Sequence, residues 1–303
     1  DLEGIDARVA AYLGTTVDDI AIRDLAVHPV SHTVLLSVQR GMGDDGQPVL
    51  IAVDGVNGAI SDIALDNVPC AEIALSDAPA ADDERLDTTL PLGNEGEEVT
   101  YGDRTFRLVR RPIRTATITD MAFVDGLLLV AGISNEEFAS KLRRIPFPFQ
   151  GAVTDNSLEI FHVSHGKWET AAPIRTFVPY EGGRSILASY TCTPVVHFPL
   201  TDLATGIKAV GRTVAELGPV NQPLDMVSFV QNGKEHVLVA NSAHGLIKIA
   251  CDDIDRQPAL TEPHEPVGVP REVEDLKGII RLANLNESCV LALQIEGDGR
   301  KHL

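Results

Sequence analysis

The sequence predicts an all-β protein, a β-propeller of about six four-stranded blades (five to seven), carried as one domain over residues 1–303 with a short helical insert. Three observations predict it. A motif of Asp, apolar stretch, turn and second apolar stretch recurs along the chain; its copies open at intervals near the length of a propeller blade; and helical periodicity is too scarce for the strand–helix alternation of an α/β fold.

The first unit opens with Asp24-Leu-Ala-Val and Val34-Leu-Leu-Ser-Val, continues into Val49-Leu-Ile-Ala-Val, turns at Asp54-Gly55 and returns through residues 59–65. That is a sheet of four strands. A short helix over Ala7–Leu13 is expected ahead of it. Further copies open at Asp120, Asp225 and Asp275, and a degenerate copy opens at Thr176. Their spacing fits the roughly 40 to 50 residues of one blade, except that the step from Asp24 to Asp120 is near two blades. Residues 66–115 are therefore either a worn blade or an insertion. Within them, 76–98 are rich in Asp, Glu, Pro and Ala and read as an exposed acidic loop, while Val99–Val109 read as a hairpin turning at Gly102-Asp103.

In the next unit, residues 134–149 read as a helical insert. Ser134 or Asn135 caps it, Glu136 and Glu137 sit at its positive end, Lys141, Arg143 and Arg144 at its negative end, and Pro146 stops it. With the following Ile145–Phe149 it reads equally as a lid over the ligand side or as packing against the neighbouring blade. The same unit ends in a strand to His162 that turns at His165-Gly166 and returns through Trp168. The last unit stops at Leu303 after its second strand; residues 1–20 look too few to complete it, so either closure is irregular or the sequence is a fragment.

Composition narrows the function classes. Hydrophobic residues at 44% are enough for a large core, and the net charge of -19 argues against nucleic acid and anionic lipid as partners. The longest apolar run, Leu127–Ile133, is too short to span a membrane. Cys70, Cys192, Cys251 and Cys289 form no Cys-x-x-Cys pair and are read as either buried thiols or disulfides. A start at Asp1 without Met or apolar leader fits a processed protein, exported to the periplasm or outside the cell.

The repeated units resemble the NHL-like and YVTN-like superfamily of bacterial propeller proteins over roughly residues 20–65 and 115–295. The resemblance implies the fold and no reaction. The Trp-Asp signature of WD40 blades is absent, since Trp168 is the only tryptophan and Glu169 follows it.

In a propeller the loops entering each first strand share one face with the loops joining second to third strands. Asp24, Asp120, Asp225 and Asp275 are therefore expected around one channel mouth, beside Arg40, Asn135, Cys192, Asn241 and His244. Converging carboxylates offer oxygen ligands that suit calcium, and the four aspartates are the candidate metal ligands. The competing reading is that an Asp opening a strand accepts backbone amides of its own turn. The histidines show no recognised metal spacing, His162 and His165 straddling a turn, and no nucleophile elbow is present. Cys192 reads as a structural thiol. The expected function is a non-catalytic propeller binding a small molecule, a cation or a protein segment at its mouth. The alternative is a calcium-dependent hydrolase like the lactonase-type propellers, its ion held by mouth carboxylates with Asn135 and Asn241.

Overall fold

The computed structural model describes residues 2–303 except 56, 93–94, 193, 204–205 and 264–266, and leaves out the side chains of 44 and 267. After helix α1 (Ile5–Tyr12), blade 1 is formed by β1 (Ile20–Val27), β2 (Val34–Arg40), β3 (Gln47–Val53) and β4 (Ile60–Asp62). A separate sheet follows, of β5 (Leu86–Thr89), β6 (Glu97–Tyr101) and β7 (Arg104–Pro112), with β7 in the centre. Blade 2 comprises β8 (Asp120–Val124), β9 (Leu127–Ile133), β10 (Ser140–Pro146), β11 (Thr154–His162) and β12 (Lys167–Glu169). Blade 3 contains β13 (Thr176–Tyr180), β14 (Ser185–Ser189) and β15 (Pro194–Pro199). Past β16 (Ala209–Val210), which pairs with β11, it is completed by β17 (Arg212–Glu216).

Blade 4 contains β18 (Pro223–Gln231), β19 (Lys234–Asn241) and β20 (Leu246–Ala250). Helix α2 (Cys251–Arg256) and β21 (Val267–Gly268), which joins the edge of blade 3, precede its last strand, β22 (Glu272–Glu274). Blade 5 has β23 (Ile279–Asn284), β24 (Val290–Ile295) and β25 (Lys301–His302). The fold is thus an antiparallel β-propeller, as the repeat predicts.

At four of the five blade junctions the neighbouring blades bury a shared apolar cluster, because a blade is a pleated sheet whose two faces both need cover. Leu129, Leu142 and Leu158 pack on Phe177, Ile186 and Phe198 between blades 2 and 3, and Leu187 and Val195 pack on Met226, Val237 and Ile247 between blades 3 and 4. Val227 and Leu238 meet Leu282 between blades 4 and 5, and Leu36, Val38 and Ile51 meet Ala283 and Leu293 between blades 5 and 1. Closure runs through the chain ends, where Leu2 and Leu303 exchange both backbone hydrogen bonds (2.7 and 3.1 Å).

Between blades 1 and 2 the described residues form no shared apolar cluster, so the ring has a seam. On the seam side of β8, Met121 is 55% and Phe123 60% exposed. The chain that separates blades 1 and 2 in sequence first runs beside this face of blade 2, where Ile73 and Leu75 lie near Met121, Leu128 and Val130, and then leaves it. The sheet β5–β7 lies across the channel mouth as a cap, and its contacts identify the location. Asp87 forms a two-pronged ion pair with Arg175 just ahead of β13 (2.7 and 2.6 Å), and the Leu90 amide donates to Gln222 Oε1 just ahead of β18 (2.8 Å).

Residues 76–98 are therefore more than an exposed acidic loop. They contain β5 and the start of β6, and Asp77 and Asp87 are ion-paired to buried arginines. Residues 93–94 fall outside the described part. The hairpin at Gly102-Asp103 is present as β6–β7. Replacing Asp87 by alanine leaves Arg175 without its carboxylate at a site where both side chains are about nine-tenths buried. A loss of roughly 3 kcal/mol at the latch is expected, raising cap opening about a hundredfold. Amide hydrogen exchange in β6 and β7 measures it, and unchanged exchange would show that the pair does not hold the cap.

The predicted helix over 135–144 is not formed. Residues 134–139 are a loop and Ser140–Pro146 is the third strand of blade 2, paired on both sides. Its basic residues serve ion pairs rather than a helix terminus: Lys141 meets Glu136 and Asp155 (both 2.7 Å), and Arg143 meets Asp77. The lid expectation falls with it. Phe147 follows the bottom end of β10, bonds Gly126 at the β8–β9 turn and stacks edge-on against Phe123 and Phe149, on the face away from the mouth.

Candidate functional site beneath the cap

Five inner strands, β1, β8, β13, β18 and β23, surround a narrow channel. A cavity of about 150 Å³ at its capped end is lined by Arg23, Asp24, Thr119, Asp120, Arg175, Thr176, Leu224, Asp225 and Arg281. Three of the inner strands carry a register shift at the same place, Ile22/Asp24, Pro223/Asp225 and Ile279/Arg281. A bulge re-aims the side chain after it, and here it brings Asp24, Asp225 and Arg281 to the channel. Asp275 is thereby displaced from the set. It lies exposed in the turn ahead of β23, and Arg281 holds the equivalent position.

These residues stitch one blade to the next. Asp120 accepts from the Phe177 amide of blade 3 (2.8 Å) and Asp225 from the Leu282 amide of blade 5 (2.7 Å), while each also accepts the amide that follows it. Arg281 donates to the Arg23 carbonyl of blade 1 (2.8 Å). Asp24 faces the seam, where it accepts the amide of Leu25 (2.9 Å) and lies 3.5 Å from Arg281. Burial pushes the Asp120 carboxyl up to about 6, with Asp24 adding to the rise, and burial pushes Asp225 up to about 7, with Asp120 adding. Of the four aspartates expected as calcium ligands, Asp24, Asp120 and Asp225 line this cavity and Asp275 does not, and among the described residues they form no group of three whose oxygens lie within 4.8 Å of one another.

A larger cleft of about 670 Å³ opens beside the channel, between the cap hairpin and the top of blades 3 and 4. Arg104 and Phe106 of β7 roof it; Leu217, Gly218, Pro219 and Val220 form one wall; Ala243, His244 and Arg271 form the other. Burial pushes Arg271 below the usual guanidinium range, and burial together with Arg271 keeps His244 low and neutral. Glu216 also borders this cleft, but its carboxylate is wholly buried on the Val163 amide (2.9 Å) and Ser164 hydroxyl (2.8 Å).

The third feature is a histidine–thiol group at the top of blades 2 and 3. His162 ends β11, and the turn Val163–His165, closed by Gly166 at φ 62°, folds His165 back until the two ring centroids are 3.9 Å apart. One ring nitrogen of each and the Cys192 sulfur lie within 4.8 Å of one another. Burial opposes charge on His162, yet Cys192, Glu169 and Glu216 outweigh it and hold the imidazole up at about 9. Burial would raise Glu169, but His162 and His165 hold it down to about 2.

The other expected site residues scatter. His244 is in the cleft and Cys192 in the histidine group, neither lining the channel cavity. Arg40 and Asn135 are exposed and line neither cavity. Asn241 is buried, its amide spent on the Val239 carbonyl (2.8 Å) and its oxygen on Asn221 (3.2 Å). The four cysteines are free thiols. Sequence reasoning missed the arginines that alternate with the channel aspartates and the Arg104 and Arg271 pair; it located the turn between His162 and His165 but read no metal spacing in it.

No family model matches the chain, and no curated protein matches it. Among solved structures it is similar to β-propeller proteins. The extracellular domain of BT4673 from B. thetaiotaomicron is 8% identical with TM-score 0.40, the alignment covering 86% of this chain and only 35% of that one. A chain of the mitotic checkpoint complex is 8% identical with TM-score 0.40, covering 92% and 85%. RS223-β-xylosidase is 13% identical with TM-score 0.32, covering 93% and 94%. At this level of likeness the blade topology itself is what carries the fold.

Proposed function

We propose that the protein is a binding propeller that holds a small anionic molecule with an apolar body in the cleft between the cap and blades 3 and 4, beside the channel mouth. One observation carries the reading: in a chain of net charge -19, this cleft is walled by Arg104, Arg271 and neutral His244, and the one carboxylate at its edge is turned away onto backbone and hydroxyl donors. Its volume is in the range of small-ligand sites, and Phe106, Leu217 and Val220 supply apolar contact. A desolvated guanidinium gains most from a carboxylate or phosphate that forms two parallel hydrogen bonds with it. The alternative, hydrolysis on a calcium ion at the mouth, has less support, because Asp275 lies outside the channel cavity and Asp120 and Asp225 each already serve two backbone amides.

Titration calorimetry with a panel of aliphatic and aromatic carboxylates and phosphate monoesters tests the proposal. Arg271→Ala is expected to weaken binding about 10- to 100-fold, as for loss of one charged hydrogen-bonding partner, and added salt to weaken it further. Binding of neutral or cationic compounds in place of anions, or an affinity indifferent to Arg271, would refute it.

A further inference from the structure

The His162–His165 turn has the construction of a metal site. Both Nδ1 atoms are held by one carboxylate, Glu169 Oε2 on His162 at 2.9 Å and Glu169 Oε1 on His165 at 2.8 Å. Carboxylates holding the far nitrogen are what fix the tautomer and ring orientation of metal-bound histidines, and the arrangement leaves Nε2 of each ring as the nitrogen an ion would take, His162 giving up a proton to do so. His162 is 3% exposed, and its Nε2 is buried without a hydrogen-bond partner, with Glu216 Oε1 the nearest carboxylate oxygen at 3.8 Å. An unpaired buried polar atom is costly unless something fills its place.

Cys192 completes the group from the β14–β15 turn. Its backbone is in the left-handed region at φ 63°, uncommon for a residue with a side chain, and its amide is anchored to the Asn221 carbonyl (2.7 Å). The strained turn sets the thiol against the two imidazoles. Nitrogen and sulfur ligands of a tetrahedral zinc, at bond lengths of about 2.0–2.3 Å, sit roughly 3.3–3.8 Å from one another. The present group, within 4.8 Å, would have to contract to that spacing around an ion. The surrounding charge also fits, because the buried Glu216 and the half-buried Glu169 flank the histidines, against one exposed lysine, Lys167, on Glu169 Oε1 (3.2 Å).

We infer that His162 Nε2, His165 Nε2 and the Cys192 thiolate form a binding site for zinc, with Glu169 as the carboxylate that orients both histidines and Glu216 as the nearest oxygen donor for the fourth position. On binding, the thiol and the His162 imidazolium each lose a proton to solvent, and no redox step is involved. Two histidines with one thiolate favour zinc over calcium or magnesium, which take oxygen ligands.

The purified full chain, stripped with a chelator and dialysed, is titrated with Zn²⁺ against a chromogenic competitor and separately with Co²⁺. One equivalent per chain is expected, with a thiolate-to-cobalt charge-transfer band and tetrahedral visible bands. Cys192→Ser is expected to abolish the charge-transfer band, and His165→Ala, a change on a half-exposed turn that leaves the core intact, to weaken Zn²⁺ binding at least 100-fold. Cys70→Ser and Cys289→Ser, at the exposed thiols, are expected to change neither. Absence of stoichiometric binding in the wild type, or a charge-transfer band that survives Cys192→Ser or vanishes with Cys70→Ser or Cys289→Ser, would overturn the site.

Discussion

Asp77→Ala is expected to destabilise the protein by about 3–5 kcal/mol, the usual consequence of leaving a buried charge without its partner. Arg143 is 1% exposed in the third strand of blade 2, and its guanidinium is fully used: Nε on both Asp77 oxygens (3.1 and 2.9 Å), Nη1 on the Thr117 carbonyl (3.0 Å) and Nη2 on the Ile133 carbonyl (2.9 Å). Asp77 is the only anion among these acceptors. It reaches the arginine from the irregular chain ahead of the cap, and the Asn135 amide in turn bonds the Asp77 carbonyl (2.8 Å). Losing the carboxylate therefore strands the cation and loosens the segment that leads into the cap. Arg143→Met should cost less, because Asp77 is 22% exposed and can recover water, while methionine fills the apolar part of the space. Urea denaturation of both variants measures the difference, and equal losses would show that the pair matters for packing rather than charge.

Stability is expected to fall as pH rises from about 5 to 8. Asp120 titrates in the folded protein at about 6 and Asp225 at about 7, both above the ordinary 3.8, so across this window the native state holds protons that the unfolded chain has already released. A native state richer in protons is favoured by acid and loses that advantage as pH climbs through the folded values. Both side chains border the water-sized channel, whose other charges are Asp24, Arg23, Arg175 and Arg281, and screening there reduces the effect to on the order of 3 kcal/mol. Denaturation midpoints taken along a pH series test this. Asp225→Asn should flatten the slope between about pH 5 and 7 while lowering stability throughout, since its one amide oxygen cannot serve both the Met226 and Leu282 amides, and above that range His162, held up at about 9, keeps the slope negative. A midpoint rising with pH would mean that the backbone amides stabilise the carboxylates as anions.

The repeat was legible because apolar strands and a leading Asp are short-range patterns, and they locate the blades. Registers were not. The Asp275-Leu-Lys-Gly-Ile copy imitates its relatives, yet β23 begins at Ile279 and a bulge selects Arg281 for the channel, a backbone irregularity with no residue signature. Local helix signals over 135–144 were real, but pairing with β9 and β11 outweighed a propensity worth only tenths of a kcal/mol per residue. Asp77 and Asp87 looked like solvated charge because the arginines that bury them lie 66 and 88 residues away. The histidine group needed knowledge of which turn faces which, since Cys192 and His162 come from different blades.

The seam lies between the two blades that are consecutive in sequence, while the earliest and the last blades share a core. During synthesis from the N-terminus, blades 2 to 4 each find a neighbour made just before or just after them. Blade 1 does not. Its face bearing Leu36, Val38 and Ile51 has α1 over one end and otherwise awaits Ala283 and Leu293, more than 230 residues later in the sequence. Of the five blades, the one made earliest is therefore the last to have this face covered, and translation stalled before residue 283 leaves that surface without its partner from blade 5.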